Sequence, residues 1–91
     1  MLENLSSSIE LLATVFGVLM SLSFFPQTYK LIKRKSSDDI SILTYFILIP
    51  GIVVWIIYGI NINSFPLISS NIIALFGAGS IAILYFVYKS D

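Results

Sequence analysis

Residues 40–88 read ISILTYFILIPGIVVWIIYGININSFPLISSNIIALFGAGSIAILYFVY, 49 positions without one charged side chain. As a single straight helix this stretch would extend about 74 Å at 1.5 Å per residue, whereas the hydrocarbon core of a bilayer is about 30 Å thick. It must turn back once. The polar cluster that contains a helix breaker is Asn61-Ile62-Asn63-Ser64-Phe65-Pro66, where Asn and Ser can cap and Pro suits the first turn of the next helix. Two membrane helices are therefore expected, at about 39–61 and about 65–88. At the start of the first, Ser36 or Ser37 can cap while Asp38 and Asp39 occupy the first turn, where the helix dipole favours negative charge.

Upstream, the apolar run Ile9–Phe25 continues through Leu31 and Ile32, long enough for a third span of about 20 residues, placed at about 8–33. Glu3 ahead of it and Glu10 at its start are its nearest charges, with no Lys or Arg among residues 1–10, unlike a cleavable signal peptide, so the segment is expected to remain in the mature protein. Across the chain 57% of residues are hydrophobic and 11% charged, against about 25% charged in a soluble domain. The expected fold class is an all-α membrane protein: one domain, residues 1–91, built as a three-transmembrane-helix bundle.

The same composition excludes several kinds of function. Five basic and five acidic residues with no basic stripe leave no electrostatic footprint for nucleic acid. The absence of Cys and His removes thiol chemistry and the usual zinc or haem ligands. No nucleophile–base pair is present, so no enzyme activity and no cofactor are expected. Three helices are too few to build both a sealed wall and a solvated path, so transport, if it occurs, requires an oligomer.

Lys and Arg accumulate on the cytoplasmic side of membrane proteins. Lys30, Lys33, Arg34 and Lys35 lie in the first loop and Lys89 in the C-terminal tail, with no basic residue at the N-terminus or in the second loop. All five fall on one side of a three-helix topology, which places the N-terminus outside and the C-terminus in the cytoplasm. Packing between helices in lipid relies on small residues that let backbones approach. Ala13, Gly17 and Ser21 in the first helix and Ser70, Ala74, Ala78 and Ala82 in the third recur every four residues. These stripes read as contact faces, against each other or against a second subunit.

Four features carry candidate function. Pro26, with Gln27 beside it, removes a backbone hydrogen bond to Leu22 and crowds its carbonyl, which produces either a static kink or a moving hinge. Thr44, Leu48, Gly51, Trp55 and Tyr58 share one face of the second helix. Tyr58 suits the interfacial aromatic belt, whereas Trp55 lies about 9 Å inside the helix end, where its indole offers a flat apolar face and one donor. Asn71 is either interhelical glue or a ligand contact, because a primary amide both donates and accepts. Trp55 and Asn71 have similar depth from the outer ends of their helices, which favours a shared site, and Ser21 and Ser23 can line the same cavity or simply bond back to their own helix. No Asp, Glu, Lys, Arg or His lies between Leu11 and Tyr29 or between Ile40 and Tyr88. Such groups usually mark proton relays and charged-substrate sites, so this pattern suits an uncharged, hydroxyl-rich solute moving down its gradient.

Ser21-Leu22-Ser23-Phe24-Phe25-Pro26-Gln27, then Lys30, Lys35-Ser36, Ile40-Ser41, Tyr45, Gly51, Trp55, Tyr58-Gly59, Pro66 and Asn71 resemble the bacterial SemiSWEET sugar transporters of the PQ-loop superfamily, over about residues 9–89. The resemblance implies a triple-helix bundle forming a parallel homodimer around a central path in the bacterial inner membrane, with a neutral mono- or disaccharide carried by uniport through alternating access. It further implies that Trp55 and Asn71 of both subunits contact the sugar and that Pro26 is the hinge. Tyr58 falls at the extracellular gate, and Thr44 and Leu48 at the intracellular gate. There are departures. The segment Ile60-Asn61-Ile62-Asn63 has no charged pair for closing the outer gate, and the bulky Phe25 before the Pro-Gln pair is expected to narrow the inner cavity. Two other readings compete: a structural or assembly subunit held by the small-residue stripes and Asn71, and a transporter of a small amino acid or carboxylate. The lack of an intramembrane cation counts against the second.

Overall fold

The computed structural model of the chain describes residues 2–89, with side chains from residue 7 onward; Met1, Ser90 and Asp91 at the extremes of the expected domain lie outside the described residues. Four helices follow in order: α1 (Leu2–Leu22), α2 (Phe24–Arg34), α3 (Ile42–Asn61) and α4 (Phe65–Val87). From Ser7, α1 and α2 together make the first apolar span of membrane length, with α3 the second and α4 the third. The 20 residues of α3 rise about 30 Å, the thickness of the hydrocarbon layer. The expected three-span, all-α membrane architecture is the one that forms.

Two expectations are corrected. The first span is not one helix over 8–33: it begins at Leu2 and breaks at Ser23. There the Ser23 amide donates to the Met20 carbonyl at 3.2 Å, three residues back instead of four. Pro26 accounts for the position of the break. It has no N–H for the Leu22 carbonyl and its ring crowds that carbonyl. Ending α1 at Leu22 and starting α2 at Phe24 puts Pro26 in the first turn of α2, where no helical donor is needed.

The second correction concerns the start of α3. Its N-cap is Ser41, with no side-chain capping bond and no acid in the first turn. Ser36 and Ser37 shape the preceding turn instead: Ser36 Oγ accepts from the Asp38 amide at 3.3 Å and the Ser37 carbonyl from the Ile40 amide at 3.1 Å. Lys35 at the end of α2 takes a left-handed conformation, φ 53°, which reverses the chain before a helix can start at residue 38. Asp39 turns back to pair with Arg34 at 3.1 Å, both groups well exposed, a contact that contributes about 0–1 kcal/mol.

The α3–α4 hairpin is tightly specified. Ser64 N–H donates to Gly59 O at 2.8 Å and Asn63 N–H to Ile60 O at 3.2 Å, the paired bonds of a Schellman ending, with Asn63 left-handed at φ 55°. Ser64 then caps α4, its Oγ accepting from the Leu67 amide at 3.4 Å, and Pro66 sits in the first turn. Gly59 lets the two helices close on each other, since a Cβ there would lie 3.0 Å from Leu67 Cβ.

The three spans stand in a row with α4 in the middle. α1 and α2 pack on one side of α4 and α3 on the other, and among the described residues neither α1 nor α2 packs against α3. The molecule is accordingly flat, 59 × 23 × 14 Å. Ala74, Gly77, Ala78 and Ile81 of α4 are buried, and Ile52 of α3 packs with Ala74 and Ala78 in a core completed by Phe24, Tyr45, Leu48, Ile49, Ile56 and Leu75. The small-residue stripes of the first and third spans meet within one chain at Gly17, where an added Cβ would stand 2.9 Å from Ser70 Cβ.

Candidate functional site

A row of three helices leaves the two valleys beside the central helix open, and one of them holds polar side chains. It is a groove of about 290 Å³ lined by Met20, Ser21, Ser23, Phe24, Leu48, Ile52, Asn71 and Ala74. Asn71 and Ala74 of α4 form the floor, α1 and the start of α2 one wall, Leu48 and Ile52 of α3 the other. None of its lining residues is charged.

The break at Ser23 builds one wall of this groove. α1 ends at Leu22 and α2 starts at Phe24, so Ser21, Ser23 and Phe24 stand on either side of the break and all line the groove. Ser21 Oγ lies 2.6 Å from the Ser70 carbonyl across the helix interface and 2.8 Å from its own Gly17 carbonyl. One hydroxyl proton serves one of them, and the shorter contact ties α1 to α4. Ser23 Oγ donates to the Met20 carbonyl. Asn71 Nδ2 donates to the Leu67 carbonyl of its own helix at 2.8 Å. Its Oδ1 and second N–H have no hydrogen-bond partner among the described residues, so an acceptor and a donor stand free at the groove floor. Within one chain Asn71 ties no two helices together.

Trp55 and Tyr58 are placed elsewhere. They line a separate open concavity with Val54, in edge-to-face contact with ring centroids 5.6 Å apart and planes at 81°. The Trp55 side of α3 is uncovered, with Trp55 52% exposed. The face carrying Thr44, Leu48, Trp55 and Tyr58 is thus divided in the single chain: Leu48 borders the groove while Trp55 and Tyr58 lie beyond it. Thr44, one turn before Leu48, is exposed and pairs its hydroxyl with Ser41 Oγ at 3.1 Å. Gln27 borders a small cleft of about 30 Å³ beside Lys30, Arg34 and Asp39 at the end of α2, away from Asn71.

The ring that walls the groove is Phe24. Phe25 is not among the lining residues and is 39% exposed, so the expectation that Phe25 narrows the cavity is corrected by one position: Phe24, three residues after Ser21, shares its helix face. Sequence reasoning also missed Met20 and Ile52, which give no signal beyond apolarity, as well as Pro50 inside α3. It passed over Gly77 and Ser80, whose offsets of seven and ten residues from Ser70 put them near the same face of α4.

Residues 7–91 match the family model described as sugar efflux transporter for intercellular exchange. The chain is 30% identical over 80 residues to a protein of Bradyrhizobium diazoefficiens named sugar transporter SemiSWEET, covering 88% of this chain and 93% of that one. Among solved structures it is similar to a bacterial homologue of SWEET transporters, with TM-score 0.83 and 29% identity over 87% of this chain and 95% of the other. It is also similar to SemiSWEET in the inward-open conformation, with TM-score 0.77 and 27% identity over 89% and 87% of the two chains. Fold and groove define a multi-pass membrane protein of the transporter class, not an enzyme. The chain belongs to the SemiSWEET branch of that sugar efflux transporter family.

Proposed function

We propose that the chain moves a neutral mono- or disaccharide down its gradient by alternating access, as a parallel homodimer in a bacterial inner membrane whose two grooves face each other around a central path. The observation that carries this reading is the groove itself: an open, uncharged valley with a free amide acceptor and donor on Asn71, beside the Ser21 and Ser23 hydroxyls. Sugar hydroxyls both donate and accept, and an amide answers both. A second copy supplies what one chain lacks. Facing subunits would add a second Asn71 and bring the half-exposed Trp55 indoles against the pyranose rings, whose C–H faces suit an aromatic plane.

Pro26, with Gln27, serves as the hinge region, Tyr58 as part of the extracellular gate, and Thr44 with Leu48 as the intracellular constriction. Rocking α2 about the break would open one end of the path as the other closes. The structural-subunit reading loses support because Asn71 bonds only its own helix. A carboxylate cargo finds no cation in the groove.

The test is uptake of radiolabelled glucose and sucrose into proteoliposomes with no ion gradient imposed. Saturable uptake that is unchanged by protonophore is expected; no uptake of either sugar by folded protein, or uptake only under a proton or sodium gradient, would overturn the reading. The basic residues Lys30, Lys33, Arg34, Lys35 and Lys89 support an outside N-terminus and a cytoplasmic C-terminus. A C-terminal alkaline phosphatase fusion, active only outside the cytoplasm, should stay dark, and strong activity would reverse the orientation.

A further inference from the structure

α2 lies against α4 from its first residue, Phe24, through Thr28, and its Leu31 is buried. At its first residue, Phe24 Cβ lies so near the Gly77 backbone that a Cβ on Gly77 would meet it at 2.6 Å, the tightest approach at any glycine of the chain. One turn further along both helices, Thr28 Oγ1 and Ser80 Oγ are 2.8 Å apart. We infer that Gly77 and Ser80, with Phe24 and Thr28 resting on them, are positioning residues for translocation: they form a releasable seat that sets how far the Phe24 ring reaches into the groove. The inference rests on the transport reading above for its consequence in flux, but not for its geometry.

The proton count explains why the seat can release. Two hydroxyl protons face three acceptors: Thr28 Oγ1 is 3.3 Å from the Phe24 carbonyl and Ser80 Oγ is 2.7 Å from the Gly77 carbonyl, besides the contact between them. The shorter back-bond holds the Ser80 proton, which leaves Thr28 to donate across to Ser80 Oγ. If α2 lifts away, Thr28 donates to Phe24 O and Ser80 keeps Gly77 O. No donor is left bare in lipid, where an unsatisfied group would be costly. Undocking therefore loses a single interhelical hydrogen bond, the Phe24–Gly77 packing and the burial of Leu31.

On the other side of the break, Ser21 holds α1 to the Ser70 carbonyl. α1 and α2 are thus fastened to α4 separately, with the break at Ser23 between the two fastenings. Movement of α2 alone carries Phe24 with it and leaves Ser21 and Asn71 in place. Gly77 is required because a Cβ there would stand 2.6 Å from Phe24 Cβ and displace Phe24 from its seat.

The chain has no native cysteine, so nitroxides can be placed at Ile32→Cys on α2 and Ile83→Cys on α4, both exposed. Double electron–electron resonance on labelled full-length chains diluted with unlabelled ones reports the distance within one chain. Thr28→Val and Ser80→Ala should each shift the docked-to-undocked ratio about three- to thirtyfold towards undocked, the range for one interhelical hydrogen bond in a membrane. The double variant should add little to either single, and Thr28→Ser should restore the native distribution. Gly77→Ala should shift it in the same direction, and if that variant fails to fold the hydroxyl pair still decides. An unchanged distribution in Thr28→Val, or fully additive shifts, would overturn the seat. Sugar flux measured in parallel separates the two ideas: wild-type protein that moves no sugar, with the shift present in the variants, sinks the transport reading alone, and wild-type protein that transports sugar, with no shift in the variants, sinks the seat alone.

Discussion

Asn71→Ala and Trp55→Ala should each reduce sugar uptake by at least tenfold while leaving the protein folded and dimeric. In the proposed dimer each side chain would occur twice around the path, so one substitution would remove two contacts. A hydrogen bond contributes about 0.5–1.5 kcal/mol net, so losing an Asn71 bond on both sides weakens sugar binding by about 2 kcal/mol, roughly thirtyfold at 1.4 kcal/mol per decade. The Trp55 effect has a different origin. Its indole is half exposed in the single chain and packs edge-on to Tyr58, so truncation removes a stacking surface without opening a hole in the α3–α4 core. Uptake by the two variants in proteoliposomes, with dimer content from crosslinking, checks both statements. If either variant loses the dimer along with the flux, that residue is a structural group; if flux is unchanged, the groove does not carry the sugar.

The second large effect is on stability. Gly17→Leu should weaken the packing of α1 on α4 by about 1–3 kcal/mol, the usual cost of forcing volume into a packed interface. A Cβ at this position already stands 2.9 Å from Ser70 Cβ, and Ser70 is the residue whose carbonyl receives Ser21 Oγ, so spreading the helices also breaks that bond. Gly79→Ala is the control. Nothing lies within 4 Å of an added Cβ there, and removing a glycine from a helix interior favours the helix by up to about 1 kcal/mol. Thermal unfolding in detergent should show Gly17→Leu clearly lowered and Gly79→Ala unchanged or raised. Equal melting of the two would show that the close approach at Gly17 contributes nothing to stability.

The hairpin of α3 and α4 was legible in the residues because the signals are local. An uncharged stretch too long for one crossing, interrupted by Asn63, Ser64 and Pro66, has one place to turn, and those three residues do there what their chemistry suits: a left-handed ending, a cap and a first-turn proline. The break in the first span was half legible. Pro26 announces it, but the break falls three residues earlier, because a proline is tolerated in a first turn and the chain shifts its helix start to put it there. Asp38 and Asp39 were misplaced for a related reason: the left-handed Lys35 and the turn bonds of Ser36 and Ser37 decide where α3 begins, and cap preferences alone do not.

The groove was legible only in part. Asn71, Ser21, Ser23 and Leu48 could be named as polar or periodic residues in apolar surroundings, and all four line it. Phe24 in place of Phe25, and the seat at Gly77 and Ser80, could not, since helical spacing groups Ser21, Phe24 and Thr28 on one face without saying which helix that face meets. Taken alone, the sequence determined three membrane crossings, one turn-back site, the absence of charge in the spans and the small residues available for close packing, because hydrophobic transfer and capping act within a few residues along the chain. The tertiary structure decided that α4 stands between the other spans, that Trp55 and Asn71 lie in separate concavities of one chain, and that α2 rests on α4 through Phe24 and Thr28. Those facts depend on which small residue meets which neighbour across an interface, and in lipid, where every helix face is equally apolar, shape and hydrogen bonds make that choice.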